Sequence, residues 1–299
     1  MKKIKALFWN IVYSLLGHLY PRGLVSIHFY RSFGFCIDWK SPKDINEKIN
    51  WLKFYGDTTC WVDLADKFKV REYVACKGFS DMLVPLLGKW DRAEDIDWDS
   101  LPEKFVMKTN HGSGDALICR DKAALDCKTW TETFAKLLQR KYGSQMGEPH
   151  YNKIKPCVIA EELLDNTKQE IPSSSLVDYK VWTFNGCPKY IWVCYNRTKH
   201  SCEVGVYDTD WNFHPEYSVS NSHYILSDKV LPRPASLDEM LRAASVLSKG
   251  FPELRMDFYE VDGKPYFGEM TFSSASGMNN FYTPEFLHIL GDYCKLKDK

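Results

Sequence analysis

Charged and apolar residues alternate along Arg255-Met-Asp-Phe-Tyr259, the period of a strand with one face against the core. Asp262-Gly263 is a turn signal, and the aromatic, threonine-bearing stretch Pro265–Phe272 has the composition of a returning strand. The hairpin so predicted carries Arg255 and Asp257 on one arm, and Glu269 and Thr271 on the other. Its register decides what those residues can do. A two-residue Asp-Gly turn pairs Val261 with Lys264, sets Asp257 opposite Gly268 and sends Glu269 to the other face. A three-residue loop, or a bulge with the same effect, pairs Asp257 with Glu269 and Arg255 with Thr271; a slip of one residue exchanges the faces of an arm. We expect the second register. It brings two carboxylates together beside a guanidinium, and carboxylates that close repel unless a cation joins them.

Elsewhere the pattern is helical first and strand-like later. After Met1-Lys2-Lys3, the apolar run Ala6–Tyr20 carries Asn10, Ser14 and His18 at every fourth position and leaves Leu7, Ile11, Leu15 and Leu19 to another face. That is amphipathic spacing. No small-residue cleavage site follows, and the run is too short and too polar to span a bilayer. Such a helix either packs on the body or rests on the inner face of a membrane, with Lys2, Lys3 and Lys5 near lipid headgroups. Asp44-Ile-Asn-Glu47 resembles a capping box. Asp63–Ala75 reads as one helix, with Asp66, Lys67 and Arg71 on a solvated face. From Leu101-Pro102 the character changes. Lys104–Lys108 is strand-like, Thr109–Asp115 is a small-residue loop, and Leu117–Cys119 returns. A helix over Ala123–Arg140, a short apolar strand over Pro156–Ala160, and a hairpin over Asp178–Tyr195 about Asn185-Gly186 follow. Val204–Phe213 adds a strand and turn. Ser236–Ser248 is a helix with Ser236 as its cap.

Composition narrows the partners. Lys plus Arg and Asp plus Glu both number 39 in 299 residues, so nothing points to nucleic acid, and any phosphate site must be local. Ten cysteines occur with no Cys-x-x-Cys pair, which favours reduced thiols, mostly buried, in a cytoplasmic protein over a disulfide framework.

Three stretches carry chemistry. The His111-Gly-Ser-Gly114 loop offers backbone N–H groups to an anion without steric bulk, and Lys108 at the end of the preceding strand can reach the same anion. It is not a Walker loop, because the lysine precedes the glycines. Glu161-Glu162-Leu163-Leu164-Asp165, following an apolar strand, suits a hinge whose backbone bonds a purine while an acid meets the ribose. The third stretch is the C-terminal hairpin.

In order, these are a lysine-ended strand with a glycine loop, a Glu-Glu hinge, a lysine-bearing strand, and Arg-x-Asp, Glu-x-Thr and a glycine. That order resembles the ATP-grasp superfamily. Asn46-Glu-Lys-Ile-Asn-Trp-Leu52, Asp66-Lys-Phe-Lys-Val-Arg71-Glu-Tyr-Val74, Lys108-Thr-Asn-His-Gly-Ser-Gly114, Asp178-Tyr-Lys180 and Phe267-Gly-Glu-Met-Thr-Phe272 resemble the blocks of the TupA-like ATP-grasp family, associated with surface polysaccharide (capsule) biosynthesis. The resemblance runs from about Lys43 to Gly291. It implies an α+β ATP-grasp fold, with a mainly helical region over 1–95, a small lobe over 96–162 and a large lobe over 163–299, clasping ATP between them. It implies Lys108 on the α- and β-phosphates, His111, Gly112, Ser113 and Gly114 over the phosphates, Glu161, Glu162 and Leu163 at adenine, and Asp165 at the ribose. Lys180 would contact phosphate. Asp257, Glu269 and Thr271 would carry Mg²⁺, and Arg255 with the Gly277 backbone would face the reacting acyl group. Thr271 departs from the asparagine usual at that place, which puts a two-metal site in doubt.

The implied reaction is ATP-dependent joining of a carboxylate, on a uronic acid or glycan, to an amine through an acyl phosphate. Trp182, Trp192, Tyr195 and Trp211 offer flat faces to a sugar, and Arg197 and Lys189 are carboxylate binders in that reading. A glycosyltransferase of the same pathway would need the Asp208-Thr-Asp210 pattern as a metal site, although Asp-Thr-Asp-Trp reads better as a turn. A nucleotide-binding protein without turnover is the other alternative.

Overall fold

A computed structural model of the chain describes residues 12, 13 and 15–296. Residues 12, 13 and 15–19 are helical; the rest of the amphipathic run 6–20 lies outside the described residues. The N-terminal part continues with α1 (Pro21–Phe33), α2 (Ile45–Tyr55), α3 (Trp61–Leu64) and α4 (Val70–Cys76). The single helix expected over Asp63–Ala75 is broken. Asp66 turns its carboxylate onto the backbone N–H groups of Phe68 and Lys69, and this local bond competes with helix continuation. Asp44 caps α2 as expected, accepting from the Glu47 N–H at 2.9 Å. The return half of the capping box does not form, because Glu47 bonds the N–H groups of Asp38 and Lys43 instead.

Two sheets follow. The smaller has the order β1 (Leu86–Trp90), β4 (Val158–Glu162), β2 (Phe105–Thr109), β3 (Leu117–Cys119), all antiparallel. Strand β1 was not anticipated: Leu-Leu-Gly-Lys-Trp is too short and too interrupted to show a period. One face of this sheet carries Phe105, Met107 and Ala160 onto α5 (Cys127–Leu138) through Phe134, in a small core of its own. The other face, with Val106 and Lys108, looks into the cleft.

The larger sheet runs β10 (Lys264–Thr271), β9 (Leu254–Val261), β5 (Asp178–Phe184), β6 (Cys187–Tyr195), β7 (Cys202–Asp208), β8 (Tyr224–Leu226), antiparallel except for β7 with β8. Its apolar side shares the main core with α6 (Leu237–Leu247), whose Met240, Ala243, Ala244 and Leu247 are buried. Ser236 does not cap that helix: its N–H and hydroxyl both go to the Glu260 carboxylate. The last helix, α7 (Pro284–Tyr293), packs on α2. All ten cysteines are free; Cys119, Cys157, Cys194, Cys202 and Cys294 are buried, whereas Cys187 is exposed and Cys127 is half-buried.

Candidate active site

Alternation along three adjacent strands collects charge on one face. Lys180 lies opposite Asp257, Asp257 opposite Glu269, and Arg255 opposite Thr271; directly opposed residues project to the same side of an antiparallel pair. Asp178, two residues before Lys180, joins them. The expected register is thus present, and a bulge produces it. The turn is the two-residue Asp262-Gly263 with both φ positive, and Lys264 pairs with Val261. The register then shifts between Phe267 and Glu269, one extra residue turning the rest of the arm over. That residue is Gly268. A Cβ there would lie 2.9 Å from the Asp257 carbonyl oxygen, so the bulge closes only around glycine.

The charges are densely paired. Arg255 donates from Nε and Nη2 to the two Asp257 oxygens at 2.7 and 2.8 Å, and from Nη1 to Ser274 at 2.8 Å. The Lys180 ammonium stands between Asp178 and Asp257, 2.5 Å from each. Burial pushes the Asp257 carboxyl up, yet Arg255 and Lys180 outweigh it and hold it at about 2. Burial likewise opposes ionisation of Glu269, and Lys67 with Arg255 and Lys180 brings its carboxyl below the usual range. Asp178 goes the other way, raised by burial, and its Oδ1 is buried without a hydrogen-bond partner. The Thr271 hydroxyl accepts from Arg255 at 3.1 Å and donates to Glu269 at 3.0 Å, so it orients the glutamate.

Across the cleft, Lys108 lies 2.6 Å from Glu161, whose other oxygen is 3.0 Å from Arg71. Glu161 is therefore clamped, and its backbone is paired on both sides, opposite Leu86 and Val106. The strand end beyond it, Glu162 to Leu164, lines the cleft. Asp165 does not. It is exposed and folds back on Thr167, leaving Asn166 to face the cleft. In the glycine loop, Ser113 and Gly114 border the cleft. His111 turns away, buried and bonded to the Arg140 carbonyl at 3.1 Å, and the Gly112 carbonyl is taken by Lys67 at 2.5 Å.

Lys67 is the residue that pattern reading passed over. It sits in a charge-rich run with the look of a solvated face. Instead it points inward, between the glycine loop and Glu269, whose Oε2 is 3.5 Å away. A backbone bond from its N–H to the Asn110 carbonyl at 3.0 Å fixes it there. Residues 140–155 also lacked a motif. They supply Glu148, fully buried and accepting from Ser273 and Ser276 at 2.6 and 2.9 Å. With Lys53 and Asn50 of α2, which bond the Ser276 and Gly277 carbonyls at 2.8 and 2.9 Å, Glu148 holds the turn after β10. In that turn Ala275 and Ser276 have positive φ (46° and 57°), a conformation that needs outside support. Gly277 lies on Asn50: a Cβ there would sit 2.6 Å from its amide.

The space between the sheets is a cleft of about 520 Å³, reached by Lys67, Lys108, Lys180, Asp178, Asp257 and Glu269, within the range of small-molecule sites. Among the described residues no group of three or more His, Cys, Asp or Glu is arranged to hold a metal ion by itself. Two carboxylates plus ligand phosphates is the donor set that suits Mg²⁺; the two carboxylates here are Glu269, one-third exposed, and Asp257, whose oxygens Arg255 and Lys180 already hold.

Other readings fail on position. Trp182, Trp192, Tyr195 and Trp211 are buried in the core and offer no sugar platform. Lys189 lies over the Tyr293 ring, while Arg197 borders the cleft, 3.4 Å from Asp178. Asp208 caps the N–H groups of Asp210 and Asn212, which is a turn.

A model of the TupA-like ATP-grasp family matches residues 47–295. Among solved structures, the chain is similar to a D-alanine–D-alanine ligase from Bacillus anthracis (17% identity, TM-score 0.42), covering 84% of this chain and 69% of that one. It is also similar to an L-amino acid ligase from Bacillus licheniformis (13% identity, TM-score 0.48), covering 85% of this chain and 55% of that one. No curated protein sequence matches it. With two facing sheets, a glycine loop and the C-terminal hairpin in the order the family model spans, the chain has the ATP-grasp fold and belongs to the TupA-like ATP-grasp family.

Proposed function

We propose that the protein is an ATP-dependent carboxylate–amine ligase that works through an acyl phosphate. What carries the reading is the meeting, in one cleft, of lysines from three separate segments (Lys67, Lys108, Lys180) with Asp257 and Glu269. In the first step a carboxylate oxygen attacks the γ-phosphorus of ATP, and the bond to the bridging oxygen breaks to release ADP. In the second an amine attacks the acyl carbon, phosphate leaves, and the amine gives up a proton as the amide forms. Mg²⁺, held by Asp257 and Glu269, would draw charge from the transferring phosphoryl group.

The chain's own residues divide the remaining work. Lys108 takes the α- and β-phosphates from the small-lobe side, exchanging its pairing with Glu161 for the ligand. Lys67 and the Ser113–Gly114 backbone face the γ-phosphate. Lys180 trades Asp178 for phosphate, and the backbone of Glu162 to Leu164 bonds adenine. Arg255 sets the Asp257 carboxylate; it and the Gly277 turn lie outside the cleft lining, and their place beside the acyl group rests on the resemblance alone. Removing one charge of this kind costs ~100- to 1000-fold in rate. The acceptor we assign is a uronic-acid or related glycan carboxylate, and the donor an amino acid or other amine, in surface polysaccharide biosynthesis. This acceptor is what the resemblance read in the sequence implies, and the buried aromatic residues add nothing to it.

The test is phosphate release from Mg-ATP with uronic acids and amino acids supplied singly and in pairs. Release of ADP and phosphate that needs both substrates supports the ligase. Mg-ATP binding with no release for any pair would make the protein a nucleotide-binding protein without turnover.

A further inference from the structure

The first 37 residues contain Lys2, Lys3, Lys5, Arg22 and Arg31 and not one Asp or Glu; the first acid is Asp38. In a chain whose charges otherwise balance, this is a strong segregation of sign. The same region exposes apolar surface. Leu15, Leu19, Tyr20, Ile27, Tyr30 and Phe35 are between 42% and 76% exposed, and they make up six of the thirteen large hydrophobic side chains exposed among the described residues. Ile27 and Tyr30 stand three apart on α1 and share its outer face. The inner face of α1 is already used: Leu24, Val25 and Phe29 are buried, Val25 and Phe29 in a cluster with Ile37 and Met278. On its outer side α1 therefore exposes Ile27 and Tyr30, with Leu15, Leu19, Tyr20 and Phe35 exposed in the segments flanking it. The segment also precedes residues 47–295, which match the family.

We propose that the outward face of residues 15–35 docks on an anionic lipid bilayer. An apolar face with tyrosines and flanking cations suits the interfacial zone, where acyl chains receive the leucines and isoleucine, the phenol groups stay at headgroup level and the cations meet lipid phosphate. Arg22 and Arg31 are placed for this, exposed on either side of Ile27 and Tyr30 in the chain and steadied by the Tyr55 and Tyr13 hydroxyls. A second copy of the chain fits less well, because a two-fold contact through this face would set like charges against each other. Among the described residues no helix is long and apolar enough to cross a membrane, so the contact is peripheral. It stands apart from the ligase reading, since none of these residues borders the cleft.

Co-sedimentation of the full chain with phosphatidylglycerol–phosphatidylcholine vesicles tests it, against vesicles of phosphatidylcholine alone. The full chain should pellet with the anionic vesicles and be released as salt rises from ~0.05 to ~0.5 M. The double variant Ile27→Glu/Tyr30→Glu, and separately Leu19→Glu, should lower partitioning about tenfold, with circular dichroism and Mg-ATP affinity unchanged. A protein that stays in the supernatant with anionic vesicles overturns the proposal. So does equal partitioning by both charge-introducing variants, or a dimer in light scattering that these variants dissociate while vesicles bind none of them.

Discussion

Asp257 receives three cationic donors on two oxygens: Nε and Nη2 of Arg255 and the ammonium of Lys180. Its carboxyl, held at about 2 against an ordinary 3.8, favours the fold fully above pH ~4 and loses that effect as pH falls through about 2. The sequence pointed to Asp257 as a metal ligand, but alternation could not reveal that it also neutralises a buried arginine and lysine. Asp257→Asn should therefore cost ~3–5 kcal/mol of stability as well as activity, because both cations lose their partner inside the protein. Glu269→Gln, at a side chain one-third exposed, should keep the melting temperature near that of the parent while ADP formation loses its response to Mg²⁺. Thermal unfolding beside a Mg²⁺ titration of ATP turnover checks both, and the reverse ranking in stability would refute the pairing. Lys53 gives a pH signature. Burial lowers its ammonium from 10.5 to about 8. Below pH 8 both folded and unfolded chains carry the proton, and the penalty is constant. Between pH 8 and 10.5 the unfolded chain binds more protons, so stability rises with pH. Urea midpoints of the parent relative to Lys53→Met should move in the parent's favour by ~2 kcal/mol between pH 8 and 9.5; a flat difference would place Lys53 in water.

At the scale of elements, the hairpin β9–β10 was legible because alternation, an Asp-Gly turn and aromatic composition all agree. Its bulge was legible only as a requirement: nothing in Phe267-Gly-Glu269 says where an extra residue goes, except that glycine alone fits. Gly268→Val forces a branched side chain onto the Asp257 carbonyl. The strand pair must then open or slip, turning Glu269 away from Asp257. Mg²⁺-dependent turnover should fall ~100-fold or more, whereas the core faces of β9 and β5 keep their packing; ADP formation with far-ultraviolet circular dichroism measures the two separately. Elements that periodicity missed or merged share a cause. Asp66 ends a helix through one side-chain bond, β1 has five residues and half-buried faces, and residues 140–155 form two short 3₁₀ turns held by tertiary contacts. Each is decided by partners distant in sequence, which no local window contains.

For the whole molecule, the question is what joins the glycine loop of one sheet to the carboxylates of the other. Lys67 does so from outside both. It is carried between α3 and α4, its backbone is tied to Asn110, and its ammonium lies between the Gly112 carbonyl and Glu269. The family blocks marked Asp66-Lys67 in the sequence, yet only the contacts of this segment with the glycine loop of one sheet and Glu269 of the other show why a cation stands there. In the proposed reaction Lys67 would follow the γ-phosphate as it transfers, since it touches both the loop that would cover the phosphate and an acid that would hold the metal. Lys67→Met keeps the stem of the side chain and removes the charge. ADP formation should fall ~100-fold or more with a smaller change in nucleotide affinity, because Lys108 and the hinge remain. Lys67→Arg should recover part of the rate, its guanidinium spanning the same two oxygen partners. A loss of affinity equal to the loss of rate would make Lys67 an ordinary nucleotide anchor, and an unchanged rate would leave it as a strut between the two sheets.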